Sequence, residues 1–218
     1  MPKTVFIAGA SGCVGQPLCK LLVADGWAVT GSTRSESKLA TLRALGVTPA
    51  LVDVYDAAAL NRAVAAATPE VVIHQLTDLP DGLDPAQMAA ARERNARIRE
   101  VGTANLVAAA RAAGATRIVA QSIAFGIDAP STKSLETQVM AGPFTGVVLR
   151  YGHFYGPGTG VETAPPKGPV HVEAAAQAAF LAAAKGQGIY HIAEDDGTYD
   201  VAQAIADLGW RADFRLAR

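Results

Sequence analysis

The stretch Thr4–Lys20, TVFIAGASGCVGQPLCK, decides the fold. It begins with a short apolar run at residues 5–8, which has the length expected of a buried strand. A turn with three glycines follows. Beyond the turn, apolar residues from Val14 to Leu22 recur with the spacing of one helix face. The pattern therefore predicts a strand, a tight turn and a helix in direct succession.

Each glycine of this turn has a predicted task. Gly9 lets the chain turn sharply out of the strand, Gly12 lets backbone N–H groups approach a pyrophosphate, and Gly15 lets the helix pack closely on the sheet. The helix N-terminus would then present its partial positive charge to the phosphates. The spacing is G-x-x-G-x-x-G, and the alternative is a plain tight turn. The predicted cofactor-binding turn comprises Gly9, Ser11, Gly12, Cys13, Val14 and Gly15.

Composition narrows the class of protein. The chain has 218 residues, half of them apolar and 18% charged, with a net charge of −1. This balance gives no electrostatic reason to expect nucleic acid or an anionic membrane as a partner. No signal peptide and no uninterrupted apolar segment of about 18 residues is present, so we expect a cytoplasmic protein. The two cysteines, Cys13 and Cys19, are expected to be reduced, and no metal site is predicted.

Strand and helix patterns alternate along the whole chain, which predicts an α/β fold: one doubly wound parallel sheet with helices on both faces. A turn-rich loop is expected at residues 77–85, and segments 151–170 and 186–218 are expected to form a small substrate lobe of a single domain, 1–218. After the first strand, strands are predicted at 27–32, 47–52, 70–76, 116–122, 145–150 and 188–193. Later helices are predicted at 38–45, 56–67, 85–113, 131–140, 171–185 and 200–208.

The end of the second strand indicates which dinucleotide would bind. A fold that prefers NAD places Asp or Glu there, to bind the ribose hydroxyls, whereas this chain has Thr33 and Arg34, with Lys38 just beyond. Arg34 has the charge and the donor fork to bind a 2′-phosphate. These residues therefore predict NADP in preference to NAD. The alternative, a solvated polar loop, is compatible with this role.

Residues at the ends of the next two strands complete the predicted cofactor pocket. Asp53 and Val54 would lie near the adenine ring, although Asp53 could instead cap the helix that starts near Asp56. Gln75 and Leu76 end the fourth strand, at the carboxyl edge where open α/β sheets bind ligands.

Three polar residues in otherwise structural patterns are expected to support the fold. His74 lies inside an apolar strand and is interpreted as structural rather than catalytic. Asn95 and Asn105 are poor helix formers in a helical stretch, so one of them is expected to satisfy a backbone group.

Three stretches carry a family resemblance: Gly9–Gly15 (GASGCVG), Leu149–Gly158 (LRYGHFYGPG) and His171–Ala176 (HVEAAA). In order and spacing they resemble the extended and atypical short-chain dehydrogenase/reductase family, specifically its NAD(P)-dependent epimerase/dehydratase-like members. The resemblance covers nearly the whole chain. It implies a Rossmann-type domain, a dinucleotide cofactor, a small-molecule substrate and a small substrate lobe after the sixth strand.

The chain departs from the family in its catalytic residues. The family's Tyr-x-x-x-Lys pair is absent, because none of the five tyrosines has a lysine four residues later. Ser122 matches the family's serine, which binds the substrate oxygen. Tyr151 and Tyr155 match a loop near the nicotinamide, so either is a candidate proton donor or a structural residue. Lys133 is a candidate ribose ligand or an exposed lysine at a helix start.

Two functions remain open at this point. The first is an NADP-dependent oxidoreductase or epimerase-like enzyme that acts on a small carbonyl or sugar-like substrate. The second is a non-catalytic NADP(H)-binding redox sensor or interaction protein, which the missing Tyr-x-x-x-Lys would explain. The resemblance also implies a homodimer that pairs the helices after strands four and five, although the second helix, near Ser131–Met140, is short.

Overall fold

A seven-stranded parallel sheet forms the centre of the computed structural model, which describes residues 3–79 and 84–217. The strands pair in the order β3-β2-β1-β4-β5-β6-β9, and the apolar and β-branched residues of β1, β4 and β6 suit strands buried on both faces. The predicted doubly wound α/β sheet is confirmed. The strands are β1 Thr4–Ala8, β2 Ala28–Thr33, β3 Thr48–Leu51, β4 Val71–His74, β5 Arg117–Ile123, β6 Thr145–Tyr151, β7 His153–Tyr155, β8 Pro169–His171 and β9 Gly188–Ile192.

Helices cover both faces of the sheet. The helices are α1 Gly15–Ala24, α2 Leu39–Ala44, α3 Ala57–Ala67, α4 Met88–Arg97, α5 Thr103–Ala112, α6 Pro130–Met140 and α7 Val172–Ala182. The helix predicted at 85–113 is α4 and α5, joined by a π-helical turn at Ile98–Gly102. A second π-helical turn, Ala204–Leu208, forms most of the last predicted helix. Of the predicted loop 77–85, residues 80–83 lie outside the described part of the chain.

Alternate strand residues bury two separate apolar clusters. One cluster joins the sheet to α1, α2 and α7 and includes Leu18, Leu42 and Trp210. The other joins the opposite face to α3, α5 and α6 and includes Leu60, Leu106 and Leu135. Both faces of the sheet are therefore covered, and the loops that follow the strands gather at its carboxyl edge.

A small second sheet lies beside this edge. Strands β7 and β8 pair in parallel, and the segment between them turns back through a bridge from Gly156 to Val161. A Cβ placed on Gly158 would lie 3.7 Å from the Cβ of Cys13, so this segment packs against the glycine turn. The role of this region as a substrate lobe stays a prediction.

Long-range hydrogen bonds tie the layers together. Arg117, at the start of β5, donates from Nη1 to the carbonyls of Ala182, Lys185 and Gly186, at distances of 3.2, 3.0 and 2.8 Å. Its guanidinium thus satisfies carbonyls at the end of α7 that have no partner within the helix. Asn105 donates to the carbonyl of Val54 at 2.9 Å, as was expected of a mid-helix asparagine.

Two further structural findings concern the described residues alone. Within ranges 3–79 and 84–217, no helix has both the length and the apolar character that a bilayer crossing requires. Within the same ranges, no three His, Cys, Asp or Glu side chains are grouped as metal ligands would be.

Candidate functional site

The glycine turn packs as tightly as the sequence predicted. Gly9 has φ +88°, and a Cβ there would lie 2.6 Å from the carbonyl oxygen of Gln75. A Cβ on Gly15 would meet the carbonyl oxygen of Gly9, and would lie 2.6 Å from that of Ala10. Strand β4, the turn and α1 can therefore approach each other only because both residues lack a side chain.

The middle of the turn has more space. The nearest atom to a Cβ on Gly12 would be the carbonyl oxygen of Gly9, 3.4 Å away, which is an ordinary contact. Val14, the residue before α1, is buried and gives the helix no side-chain cap. The N–H groups of Gly12 and Gln16 donate to the carbonyls of Gly9 and Gly12, both at 3.1 Å. The N–H groups of Cys13, Val14 and Gly15 therefore remain available to an anion.

Side chains of the turn link it to β2. Ser11 donates from Oγ to Oγ1 of Thr33 at 3.1 Å, and the Thr33 hydroxyl also accepts from the backbone N–H of Ser35 at 3.2 Å. Cys13 is partly buried, and burial raises the pKa of its thiol, although backbone hydrogen bonds at Val14 and at Cys13 itself lower it. The turn is thus fixed to the strand end that carries the predicted specificity residues.

The predicted 2′-phosphate ligand, Arg34, is paired with an acid. Its Nη2 donates to Oδ1 of Asp78 at 2.8 Å, and its Nη1 donates to Oδ2 at 3.3 Å. These hydrogen bonds lower the pKa of Asp78, against the opposing effect of burial, and raise that of Arg34. Lys38 is exposed in the short 3₁₀ turn Glu36–Lys38. Asp78 was missing from the predicted set.

The structure excludes one of the two alternatives for Asp53, which lies after β3. Asp56 caps α3 by accepting from the backbone N–H of Ala59 at 2.9 Å, so the prediction that Asp53 caps this helix is wrong. Asp53 accepts instead from the N–H of Tyr55 at 2.9 Å and is exposed, while Val54 is buried. Its proposed role near the adenine ring stays a prediction.

At the end of β4, Gln75 is only 5% exposed, and its side-chain amide makes no hydrogen bond to the described residues. A buried amide without a partner is costly unless a ligand or water satisfies it. His74, in contrast, is fully satisfied: Nε2 lies 3.1 Å from the hydroxyl of Thr103, and Nδ1 accepts from the N–H of Leu76 at 3.2 Å. Burial lowers the pKa of His74 to about 4, as suits a structural histidine.

The carboxyl ends of β5 and β6 hold a buried polar cluster. Ser122 is 1% exposed and donates from Oγ to Oε1 of Glu136 at 2.7 Å. Glu136 also accepts from Nε and Nη2 of Arg150, at 2.9 and 2.6 Å. Burial acts to raise the pKa of Glu136, but the bonds from Arg150 and Ser122 outweigh it, and the pKa is lowered. Sequence reasoning found Ser122 but missed both partners.

Tyr151 does not face a ligand space. It is fully buried, and its hydroxyl donates to the backbone carbonyl of Ala175, in α7, at 3.1 Å. Burial raises its pKa well above the usual tyrosine value, and the nearby Gln75 amide, although outside hydrogen-bond geometry, offsets a part of that rise. The geometry favours the structural alternative for this residue.

The other two predicted catalytic residues lie apart from Ser122. Tyr155 donates to Oε1 of Glu194 at 2.5 Å and accepts from Nη2 of Arg215 at 3.1 Å. Burial and the Glu194 carboxylate raise its pKa, so its proton is firmly held. Lys133 is 60% exposed and pairs with Asp128 at 3.0 Å, which favours the surface alternative.

The residues present fit a dinucleotide. The turn offers free backbone N–H groups beside Gly12, an unpaired amide at Gln75 and a guanidinium at Arg34, all at the carboxyl edge of the sheet. These are the groups that a pyrophosphate and its flanking riboses require. The catalytic side is less complete, since only Ser122 among the predicted residues joins a polar cluster in that edge.

Comparisons with known proteins agree with this geometry. Residues 9–146 match the model of a family described as NAD(P)H-binding. A 3-diazoavenalumate denitrifying reductase from a Streptomyces species is 41% identical over 181 residues, which cover 72% of this chain and 58% of that protein. The chain thus spans less than two thirds of this curated relative.

Solved structures show the same fold. A UDP-glucose 4-epimerase from Thermotoga maritima, crystallised with UDP-glucose, has a TM-score of 0.77 at 16% identity. The alignment covers 97% of this chain and 94% of the epimerase chain. The Thermus thermophilus UDP-glucose 4-epimerase in complex with NAD has a TM-score of 0.75 at 18% identity, with coverages of 97% and 94%. The expected resemblance to epimerase-like short-chain dehydrogenases/reductases is confirmed, and this chain belongs to the NAD(P)H-binding family.

Proposed function

We propose that this chain is an NADP-dependent oxidoreductase or epimerase-like enzyme that acts on a small carbonyl or sugar-like substrate. The observation that carries the proposal is the glycine turn, Gly9–Gly15, with its uncapped helix N-terminus and the unpaired Gln75 amide beside it. Free backbone donors at a helix N-terminus are the groups from which a pyrophosphate accepts hydrogen bonds.

The cofactor would be held by groups along this edge. Backbone N–H groups from Cys13 to Gly15 would bind the pyrophosphate, Asp53 and Val54 would border the adenine, and Gln75 and Leu76 would border the nicotinamide half. Arg34 binds the 2′-phosphate, which is the reason for naming NADP. When bound, the nicotinamide supplies or accepts the hydride.

Ser122 is assigned the orientation of the substrate oxygen. Its hydroxyl proton is committed to Glu136, so Oγ can accept a hydrogen bond from a substrate hydroxyl, whereas donating to a substrate carbonyl requires the bond to Glu136 to break. Glu136 and Arg150 act as positioning residues, because they fix the rotamer of Ser122 without reaching the substrate. Since Tyr151 is buried and the Tyr155 proton is held by Glu194, we assign the proton of the reaction to water.

The test has two stages. The purified protein is titrated with NADPH and with NADH, following nicotinamide fluorescence, and the titration is repeated with Arg34→Ala. We expect NADPH to bind more tightly and the preference to disappear in the variant. The protein is then mixed with NADPH and small aldehydes, ketones, UDP-sugars and a diazo compound, the last because of the 41% identical denitrifying reductase. Loss of nicotinamide absorbance identifies a substrate that is reduced, and epimerisation of a UDP-sugar, which consumes no cofactor overall, is detected by chromatography of the sugar.

The second candidate is a non-catalytic NADP(H) sensor or interaction protein, which the absence of Tyr-x-x-x-Lys favours. Tight NADPH binding without hydride transfer to any member of the panel would support it. If neither nucleotide binds the wild-type chain, both candidates are wrong and the glycine turn serves only the fold.

A further inference from the structure

One carboxylate holds two arginines from different elements at the cofactor edge. Asp78, in the loop after β4, accepts from Arg34 at 2.8 and 3.3 Å and from Nε of Arg94, in α4, at 3.1 Å. Arg34 follows β2, so this set, which we call the Asp78 clamp, joins three segments of the chain. It lies where the sequence predicts the 2′-phosphate of NADP.

The backbone of Asp78 is held in place by Asn95, while its carboxylate is bonded only to the two arginines among the described residues. The backbone N–H of Asp78 donates to Oδ1 of Asn95 at 3.1 Å, and Nδ2 of Asn95 donates back to the carbonyl of Asp78 at 3.1 Å. Nδ2 of Asn95 also donates to the carbonyl of Ala91, at 2.8 Å, and the Asn95 side chain is buried. The loop therefore presents Asp78 to the two guanidiniums in one defined place.

Both guanidiniums are open to solvent. The side chains of Arg34 and Arg94 are 58% and 45% exposed, whereas that of Asp78 is 16% exposed. An arriving anion can thus reach both arginines without any change in the core. Because hydrogen bonds from Arg34 lower its pKa, Asp78 is an anion at neutral pH and already satisfies these donors.

We propose that Arg94 is a second phosphate-binding arginine, and that Asp78 occupies, in the free protein, the place that the 2′-phosphate of NADP takes between Arg34 and Arg94. This inference rests on the proposed function. A phosphomonoester carries a charge of about −1.5 to −2 at neutral pH and three acceptor oxygens, so it competes well against one carboxylate.

The Asp78 clamp would therefore treat the two nucleotides differently. The ribose hydroxyl of NAD carries no charge and cannot replace Asp78 on the two guanidiniums, so the clamp stays closed when NAD binds. Displacing the acid costs NADPH part of its binding free energy, and the charged hydrogen bonds from Arg34 and Arg94 to the phosphate must exceed that cost.

The test compares two arginines of the same helix. Arg94→Ala is expected to weaken NADPH binding by about tenfold, from the loss of a charged hydrogen bond, and to leave NADH binding within about twofold. Arg92→Ala is the control, since Arg92 is exposed on α4 and carries the same charge. Equal effects of the two variants on NADPH would overturn the role of Arg94.

A third variant tests the role of Asp78. Asp78→Asn removes the competing charge but keeps the shape, and it is expected to tighten NADPH binding several-fold with little effect on NADH. Weaker NADPH binding in a variant that melts at the wild-type temperature would mean that Asp78 only preorganises Arg34, and the inference would be wrong.

The outcomes separate this inference from the proposed function. If NADPH binds, Arg34→Ala removes the preference and Arg94→Ala does not, the inference alone fails. If the wild-type protein binds neither nucleotide, the proposed function fails and the inference fails with it.

Discussion

Two regions at the same edge of the sheet use their polar groups in opposite ways. In the glycine turn, the N-terminus of α1 has no side-chain cap and the Gln75 amide has no partner among the described residues. At the ends of β5 and β6, Ser122, Glu136 and Arg150 bond to one another, and the Tyr151 hydroxyl bonds to the backbone of α7.

The difference shows which region is complete without further partners. Buried polar groups in folded proteins have partners, so the unpaired Gln75 amide requires water or a ligand, whereas a closed network is stable without one. The first region can therefore be interpreted from its own geometry. The second holds the fold together whether or not a substrate binds, and its catalytic role rests on the proposal.

The largest expected effect breaks the closed network. Glu136→Ala leaves the partly buried guanidinium of Arg150 and the buried hydroxyl of Ser122 without their acceptor, and should lower the free energy of unfolding by about 3 kcal/mol. Urea denaturation followed by circular dichroism measures it. Thr137→Ala, at an exposed position of the same helix, should change this free energy by less than about 0.5 kcal/mol. A loss of less than about 1 kcal/mol for Glu136→Ala would mean that the stability of the fold does not depend on this hydrogen-bonded network.

The second-largest expected effect concerns the glycine turn. In Gly15→Ala, the new Cβ would press against the carbonyl oxygens of Gly9 and Ala10, so the free energy of unfolding should fall by about 2 kcal/mol and nucleotide binding should be lost. Gly12→Ala is the matched variant, because its Cβ has an ordinary contact distance of 3.4 Å. It should fold like the wild type yet bind NADPH more weakly. Unchanged NADPH binding in Gly12→Ala would show that the turn does not face the pyrophosphate.

Acid should destabilise the protein through two buried groups, His74 and Glu136, in different pH ranges. The pKa of His74 is about 4 in the folded chain against 6.5 as its ordinary value, so between these values only the unfolded chain binds the proton. The free energy of unfolding should therefore fall by about 2 to 3 kcal/mol from pH 6.5 to pH 4. His74→Asn should flatten this slope, whereas His153→Asn, at an exposed histidine, should not.

The contribution of Glu136 to the free energy of unfolding has the same sign as that of His74, but it is lost at lower pH. Because its folded pKa is lowered, the stabilisation it gives is present above the ordinary carboxylate pKa and is lost as the pH falls through the folded value. Denaturation curves recorded across the whole range should show a His74 slope first and a Glu136 slope at lower pH. A single slope that survives both substitutions would contradict the assignment.

The smallest expected effect concerns Lys133. Its side chain is 60% exposed and that of its partner Asp128 is 92% exposed, and exposed pairs of this kind contribute little. Lys133→Ala should change the free energy of unfolding by less than about 0.5 kcal/mol and leave the affinity for both nucleotides unchanged. Weaker binding of NADPH and NADH alike would instead make Lys133 a ribose ligand.

The glycine turn could be predicted from the sequence, whereas the hydrogen-bonded network of Ser122, Glu136 and Arg150 could not. The glycine spacing and the apolar run before it are local signals, and they act within about 15 residues of each other, so no knowledge of packing is needed. The pairs Arg34–Asp78 and Glu136–Arg150 join residues 44 and 14 positions apart. Such contacts depend on strand register and on the rotation of α4 and α6, which local patterns do not give.

Tyr151 shows the same limit in a strand. Successive residues of β6 point to opposite faces, and which face meets α7 depends on the order of the whole sheet. The sequence puts Tyr151 next to the expected loop, but it does not show that the Tyr151 hydroxyl lies between the sheet and α7.

The Arg117 guanidinium has a consequence for the order in which the chain folds. It lies on β5 but bonds carbonyls at the end of α7, 65 to 69 residues later, and β9 can join β6 only after that excursion. Parallel pairings closed over such distances are slow to form, because the entropy of loop closure is lost before the contacts are made. The edge strand β9, which reaches β6 only after the whole of α7, would thus complete the sheet late.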